Sequence, residues 1–441
     1  MKFIRLALVV LLILFLNRSK PSQAQTAPLD YHTQSYALDS GLHSSRTGDT
    51  ATTPGYSTVV KVSGAPWLRL TFSGAELGKG SYLLITSLAD GAQQRLDAKA
   101  LAQWRNSSAY FNGDAVKVEL HTAPADTNVF FRMNEVLVGG GGLPETQCGP
   151  TDDRVPSTDP RAGRLLTIGC TAWLIDDGRF VSAGHCVSSA GAANTVEFNV
   201  PPSLSNGILQ HPGPQDQYVV NDSTIVYTEG GIGNDWGVFS AFPNSQTGLT
   251  ALQAQGAFFN VVQDLGPATV RITGYGVDNG MANQTEQTST GPNAGSSGTT
   301  MRYQTDTEGG NSGSPIIDEA TGNAVGVHTN GGCLTSGGGS NSGTSNFNSA
   351  FWAQIGSGGG GGDISLSARA KRRGQTRVVN LRWSPADGGS INVLRNGSPV
   401  QTTADDGKTQ DNLGSTTGTF TYQVCETDSG DCSNEVVVNV R

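Results

Sequence analysis

The 441-residue sequence has little positive charge to offer a polyanion: 28 Lys and Arg stand against 37 Asp and Glu, for a net charge of −9. Nucleic acid is held largely by basic side chains that displace counterions from phosphates, so this balance argues against a nucleic acid partner. The short cluster Lys371-Arg372-Arg373 reads as a solvated strand end or turn. Methionine is scarce, at four residues, whereas Gly reaches 59 and Ser, Thr and Asn are abundant. That composition disfavours long helices and suits short strands joined by turns, so the expected fold class is all-β.

Long apolar runs are also missing beyond the first residues. Lys2 and Arg5 precede the apolar stretch Leu6 to Leu16, which is too short to span a bilayer, and polar residues follow up to Ser22-Gln23-Ala24. This is the pattern of an export signal over residues 1–24, cut after Ala24. The expected product is secreted and extracellular, with no membrane association after cleavage.

No CxxC pair or His-rich tract is present to hold zinc, and Asp152-Asp153 lacks a calcium loop of the right spacing. The expectation is no metal and no cofactor. Six cysteines in an exported chain are read as disulfides instead. Cys170 with Cys186 and Cys425 with Cys432 pair by proximity in sequence, which leaves Cys148 with Cys333 as a long-range staple.

Two glycine runs, Gly139 to Gly142 and Gly358 to Gly362, divide the chain, because such runs bury too little to offset their backbone entropy. Residues 25–142 alternate in Thr58-Val59-Val60-Lys61-Val62, Trp67 to Phe72 and Val116 to Leu120, the mark of a β-sandwich. They are expected to form an N-terminal β-domain and possible propeptide, in which His32, His43 and His121 are ordinary packing or surface residues. Residues 363–441 carry short, evenly spaced strands, the apolar Trp383 and an Asn396-Gly397 turn, and are similar in pattern to a fibronectin type III module.

The middle segment, 143–357, holds the chemistry. Thr171 to Cys186 reads as strand, Asp-Gly turn and strand, delivering His185 at a strand end. Asp235 precedes an apolar strand, and Ser312 lies in the loop Gly309-Gly310-Asn311-Ser312-Gly313-Ser314-Pro315. A serine hydroxyl is a poor nucleophile near neutral pH unless a base takes its proton. An imidazole suits that task, provided a carboxylate fixes its tautomer and stabilises its charged form. His185, Asp235 and Ser312 are the candidates for those three roles, and the amides of Gly310 and Ser312 are the candidates for an oxyanion hole. The pattern Gly-x-Ser-x-Gly of strand-to-helix hydrolases fails, since Ser314 occupies its last position.

The runs Ser-Ala-Gly-His-Cys, Asn-Asp-Trp and Gly-Asn-Ser-Gly-Ser-Pro, in that order, resemble trypsin-like serine proteases, most closely the bacterial glutamyl endopeptidase-like branch. The resemblance spans about Cys148 to Ile355. It implies two six-stranded β-barrels with the active site between them, and hydrolysis of protein or peptide substrates through an acyl-enzyme on Ser312. It also implies a Cys170–Cys186 bridge beside the catalytic histidine, and the Cys148–Cys333 pairing has parallels among bacterial members. Asn311 stands where the digestive enzymes carry the aspartate that pairs with a new amino terminus, so that mode of activation is excluded.

For specificity the resemblance points two ways. Asp306 lies where trypsin-like enzymes place the carboxylate that binds Arg or Lys, while Thr307 and His328 match the hydroxyl and imidazole that hold an acidic side chain in glutamyl endopeptidases. Charge complementarity favours the acidic preference. The full expectation is a double-barrel serine endopeptidase flanked by two β-sandwiches and acting as a monomer. Its alternatives are an Arg/Lys preference, or a catalytically silent homologue serving in adhesion or binding. A cut after Glu145 would release the N-terminal segment and leave the Cys148–Cys333 staple intact.

Overall fold

The computed structural model describes residues 23–46, 48–140, 147–189, 191–356, 364–374, 376–384, 386, 389–427, 432–433 and 435–440. Residues 1–22 of the expected export signal, the second half of the first glycine run with the expected Glu145 site, and the whole of the second run lie outside the described residues. Nearly all regular structure is strand. No helix among the described residues is long and apolar enough to cross a membrane.

The N-terminal strands form two four-stranded sheets. One runs Tyr31–Asp39, Phe130–Gly139, Trp67–Glu76, Phe111–Asn112; the other runs Thr53–Lys61, Ala115–Thr122, Tyr82–Ser87, Gln93–Leu96. Period-two alternation is the reason they face each other: in Ala115–Thr122, Val116, Val118 and Leu120 turn inward while Lys117, Glu119 and His121 are more exposed. Those inward residues pack with Leu68, Leu70, Phe72, Leu83, Ile85 and Phe131 in one core.

The middle of the chain opens with a closed barrel in the order Ala162–Thr167, Cys170–Leu174, Phe180–Ser182, Asp235–Ala241, Gln217–Glu229, Ala193–Glu197. A second, eight-stranded sheet runs in the order Val155–Pro156, Gln287–Pro292, Thr269–Gly274, Pro315–Asp318, Ala324–Gly331, Asn341–Ser345, Thr300–Tyr303, with Gln23–Ala24 paired to Ala324–Gly331 off this path. Gln287–Pro292 and Thr300–Tyr303 meet at a seam held by the bridge between Asn293 and Tyr303 and by the Gln304 amide, which donates to the Pro292 carbonyl at 3.0 Å. The second unit is therefore a half-barrel whose edges touch at a short seam, where the first barrel is closed by continuous strand pairing. Trp173, Val181, Trp236 and Val238 of the first barrel pack with Ile317, Val327 and Phe351 between the two units. Every residue of Cys170–Leu174 is consequently buried, without the alternation of a one-sided sheet.

The last strands form a sandwich of three, Ser365–Arg373, Thr376–Ser384, Lys408–Gly414, against four, Ser398–Ala404, Ser390–Arg395, Gly418–Glu426, Val436–Val440. Trp383 is buried in its core, and its indole N–H donates to Asp405 Oδ1. The six cysteines form Cys148–Cys333, Cys170–Cys186 and Cys425–Cys432.

The N-terminal sandwich docks on the first barrel through an aromatic and polar patch. The Tyr110 ring stacks on His211 with centroids 4.6 Å apart, and Trp67 meets the same imidazole edge-on at 5.1 Å. The Tyr110 amide donates to Gln217 Oε1 at 3.0 Å, and Gln217 Nε2 donates back to the Tyr110 carbonyl at 2.9 Å. Beneath this patch Glu197 lies 2.6 Å from Arg164 and 2.8 Å from His211, all three fully buried. Burial alone would push the Glu197 carboxyl up, but His211 and Arg164 outweigh it and hold the group below its ordinary range.

Candidate active site

The strand Phe180–Ser182 runs into the short helix Gly184–Val187, which presents His185, and the Cys170–Cys186 disulfide fixes that turn to the neighbouring strand. Asp235 is the first residue of Asp235–Ala241, beside the helix. His185 Nδ1 lies 2.6 Å from Asp235 Oδ2, and the His185 main-chain amide donates to Asp235 Oδ1 at 3.0 Å. Asp235 is itself held by Thr344: its amide donates to the Thr344 hydroxyl at 3.0 Å, and that hydroxyl donates to the Asp235 carbonyl at 2.8 Å. A carboxylate on Nδ1 requires the proton there and leaves Nε2 as the basic nitrogen.

Ser312 is fully buried in the loop that precedes Pro315–Asp318. Its hydroxyl donates to the Thr329 carbonyl at 3.1 Å and accepts the Gln25 amide at 2.9 Å. His185 Nε2 is buried and has no hydrogen-bond partner among the described residues. His185 and Asp235 are thus bonded, and the Ser312 loop lies beside them, its main-chain carbonyl 3.8 Å from Cys186 Sγ and its hydroxyl turned to Thr329.

Gly310 has φ +101°, and a Cβ there would fall 2.3 Å from the Tyr275 carbonyl oxygen, so only glycine lets the loop turn at this point. Its amide and the Ser312 amide both donate to one acceptor, the Gln25 carbonyl, at 2.6 and 3.2 Å. Two convergent amides on a single carbonyl oxygen form the geometry of an oxyanion hole.

The same glutamine fills the neighbouring pocket. Its Oε1 lies 2.5 Å from His328 Nε2, and its Nε2 donates to the Thr307 carbonyl at 3.2 Å. Tyr303 bonds the other imidazole nitrogen, Nδ1. Burial, with a further contribution from nearby His185, drives the His328 pKa down to about 3, so its ring is neutral. The arrangement that satisfies every atom has the Tyr303 hydroxyl donating to Nδ1 and the Nε2 proton donating to the glutamine oxygen.

Thr307 reaches the glutamine through its carbonyl, and its hydroxyl accepts Asn341 Nδ2 at 2.7 Å. Asp306 faces away. Its Oδ1 accepts the Cys148 amide at 2.8 Å and its Oδ2 the Asp153 amide at 2.7 Å, which ties down the chain at the Cys148–Cys333 staple. Tyr303, Asn341 and Gln25 were not singled out from the sequence. Tyr303 and Asn341 sit on strands with no motif of their own, and Gln25 sits in a polar stretch without periodicity. Cys170, His185 and Cys186 come within metal-binding distance of one another, but both sulfurs belong to one disulfide.

Residues 170–327, which include His185, Asp235 and Ser312, match the family model of the trypsin-like peptidase domain. Among characterised proteins, secreted RxLR effector protein 73 of Plasmopara viticola is 28% identical over 180 residues, covering 37% of this chain and 42% of that protein. The chain therefore spans less than half the length of that relative. Among solved structures, a Glu endopeptidase in complex with MPD is 19% identical, covering 47% of this chain and 96% of its own, with a TM-score of 0.36. A thermostable serine protease, AL20, from an extremophilic microorganism is 17% identical, covering 43% and 92% respectively, with a TM-score of 0.34.

Proposed function

We propose that this chain is an exported serine endopeptidase that forms an acyl-enzyme on Ser312. The observation that carries the reading is the Gln25 carbonyl oxygen held by the amides of Gly310 and Ser312, in the same cleft as the bonded pair His185 and Asp235. In the reaction the Ser312 hydroxyl turns from Thr329 to His185 Nε2 and loses its proton there as Oγ bonds to the substrate carbonyl carbon. The carbonyl electrons move onto the oxygen between the two amides, and they return as the C–N bond breaks. The leaving amine takes the proton from His185. Water then repeats the sequence against the ester, freeing the acid and regenerating the serine. Loss of one oxyanion donor costs about 3 kcal/mol of transition-state stabilisation.

The pocket next to the serine fits a side chain the length of Gln or Glu. The neutral His328 ring offers one N–H to an accepting oxygen, and the Asp306 carboxylate is engaged elsewhere. A glutamate oxygen meets that N–H as a glutamine oxygen does, whereas an arginine would bring five donors to a site with few acceptors. Export is supported by the signal-like first residues and by three disulfides. The three-against-four C-terminal sandwich with its buried tryptophan supports a fibronectin type III-like accessory module.

Fluorophosphonate labelling of the processed protein, lost in Ser312→Ala, tests the enzyme. A folded wild type that stays unlabelled after removal of residues 25–145 would leave a silent homologue. Chromogenic peptides differing only before the scissile bond test the pocket: cleavage after Glu or Gln is expected, and cleavage after Arg alone would sink the specificity reading.

A further inference from the structure

Residues Gln23 to Leu29 lie in the cleft as a peptide substrate would. Gln23 and Ala24 pair antiparallel with Gly331 and Asn330 on the edge of Ala324–Gly331. Gln25 follows with its carbonyl in the two-amide hole and its side chain in the pocket between His328 and Thr307. Beyond it the Ala27 amide donates to the Gly169 carbonyl at 2.8 Å and the Leu29 amide to the Thr167 carbonyl at 2.9 Å, so the chain continues along the first barrel. Leu29 ends the run buried with Trp67, Tyr110, Leu166 and Leu209, where the N-terminal sandwich meets the barrel.

The cleft is shaped for this close approach. A Cβ on Gly169 would fall 1.6 Å from the Ala27 carbonyl oxygen, and one on Gly331 would fall 2.4 Å from Gln25 Nε2. The contact also displaces the nucleophile. The Gln25 amide donates to Ser312 Oγ, and the hydroxyl proton goes to the Thr329 carbonyl rather than to His185 Nε2.

We infer that Gln25 to Leu29 are an internal inhibitor of the cleft, a glutamine-led strap that fills the specificity pocket and oxyanion hole and parks Ser312 against Thr329 until the N-terminal segment is removed. This rests on the peptidase reading of the site. An export cut after Ala24 leaves the Gln25 carbonyl and side-chain contacts in place, turns the Gln25 amide into a terminal ammonium that still donates to Ser312 Oγ, and takes away the pairing with Asn330 and Gly331 that would help present the Gln25–Thr26 bond for cleavage.

The test uses the secreted full-length chain, with Gln25→Gly to empty the pocket and Ala27→Pro to remove the bond to Gly169. In a Ser312→Ala background, hydrogen exchange at the Gly310 amide is expected to be slow with Gln25 present and at least tenfold faster in either variant. With Ser312 intact, fluorophosphonate labelling is expected to be at least tenfold faster in either variant than in the parent. Equal exchange rates in parent and variants overturn the strap. Equal labelling rates in a chain that labels well overturn the inhibition and leave the peptidase standing. Faster exchange with no labelling of any form, even after removal of residues 25–145, keeps the strap as an occupant and overturns the peptidase reading beneath it.

Discussion

Asp235 holds His185 through both of its carboxylate oxygens, Oδ2 on the ring nitrogen Nδ1 and Oδ1 on the main-chain amide. Ring tautomer and ring position are therefore set by one side chain. Asp235→Asn keeps the shape but presents an N–H or a neutral oxygen to Nδ1, which frees the imidazole to take the wrong tautomer. The expected result is a fall in kcat of about four orders of magnitude with a small change in KM, read by steady-state cleavage of a peptide ester by the processed enzyme.

Asp306 and His328 have opposite expected effects on specificity. Asp306→Asn removes charge from a group that binds only the Cys148 and Asp153 amides. The ratio of cleavage after Glu to cleavage after Arg should stay the same, with some loss of thermal stability near the staple. His328→Leu removes the N–H aimed at the side-chain oxygen and should cut kcat/KM for Glu and Gln substrates by at least tenfold, while leaving fluorophosphonate reactivity far less affected. A changed Glu-to-Arg ratio in Asp306→Asn would put that carboxylate back in the pocket.

Glu286 predicts a pH dependence of stability. Burial raises its pKa from 4.5 to about 7, although the Ser157 hydroxyl and the Asp159 amide both donate to it and oppose the shift. Between those values the native carboxyl keeps a proton that the unfolded chain has lost, so its contribution is present below pH 4.5 and lost as pH rises through 7. His328 slopes the other way: neutral when folded and protonated when unfolded, it adds stability as pH rises from about 3 to 6.5. Glu286→Gln should therefore unmask the histidine, with urea midpoints rising from pH 4.5 to 6.5 more steeply than in the parent. An unchanged slope would refute the assignment.

The Arg164–Glu197–His211 cluster predicts a large loss from a small change. Glu197→Gln removes the countercharge of the fully buried Arg164 guanidinium and leaves it neutral acceptors alone, the Gln284 and Gln210 carbonyls and one side-chain amide oxygen. The expected cost is about 3 kcal/mol in the unit containing the first barrel, read as a lower urea midpoint. His211 also carries the Tyr110 stack, so the N-terminal sandwich should become easier to release by limited proteolysis.

What the sequence made legible was local. Strand alternation in Val116 to Leu120 and the Asp-Gly turn before Phe180 depend on near neighbours, and the runs around His185, Asp235 and Ser312 carry their residue types in short motifs. Direction was not legible. Nothing in the letters near Asp306 says that its carboxylate turns toward Cys148, because that follows from where a segment far back in the chain passes. The Gln25 contacts with Ser312 and His328 are hidden for the same reason: they join the two ends of a long stretch of chain through a segment with no periodicity. The seam at Asn293 and Tyr303 is one bridge with a few main-chain hydrogen bonds beside it, too small a feature to leave a pattern.

The strap that begins at Gln25 is covalently continuous with the sandwich that buries Leu29, and this changes what a cut elsewhere would do. While the chain is whole, the cleft meets its occupant at an effective concentration in the millimolar range, so a weak peptide is enough to keep it filled. A single cut between the sandwich and the first barrel converts that tethered contact into a bimolecular one. In dilute solution the released piece is lost to dilution, and the step is irreversible without any further chemistry.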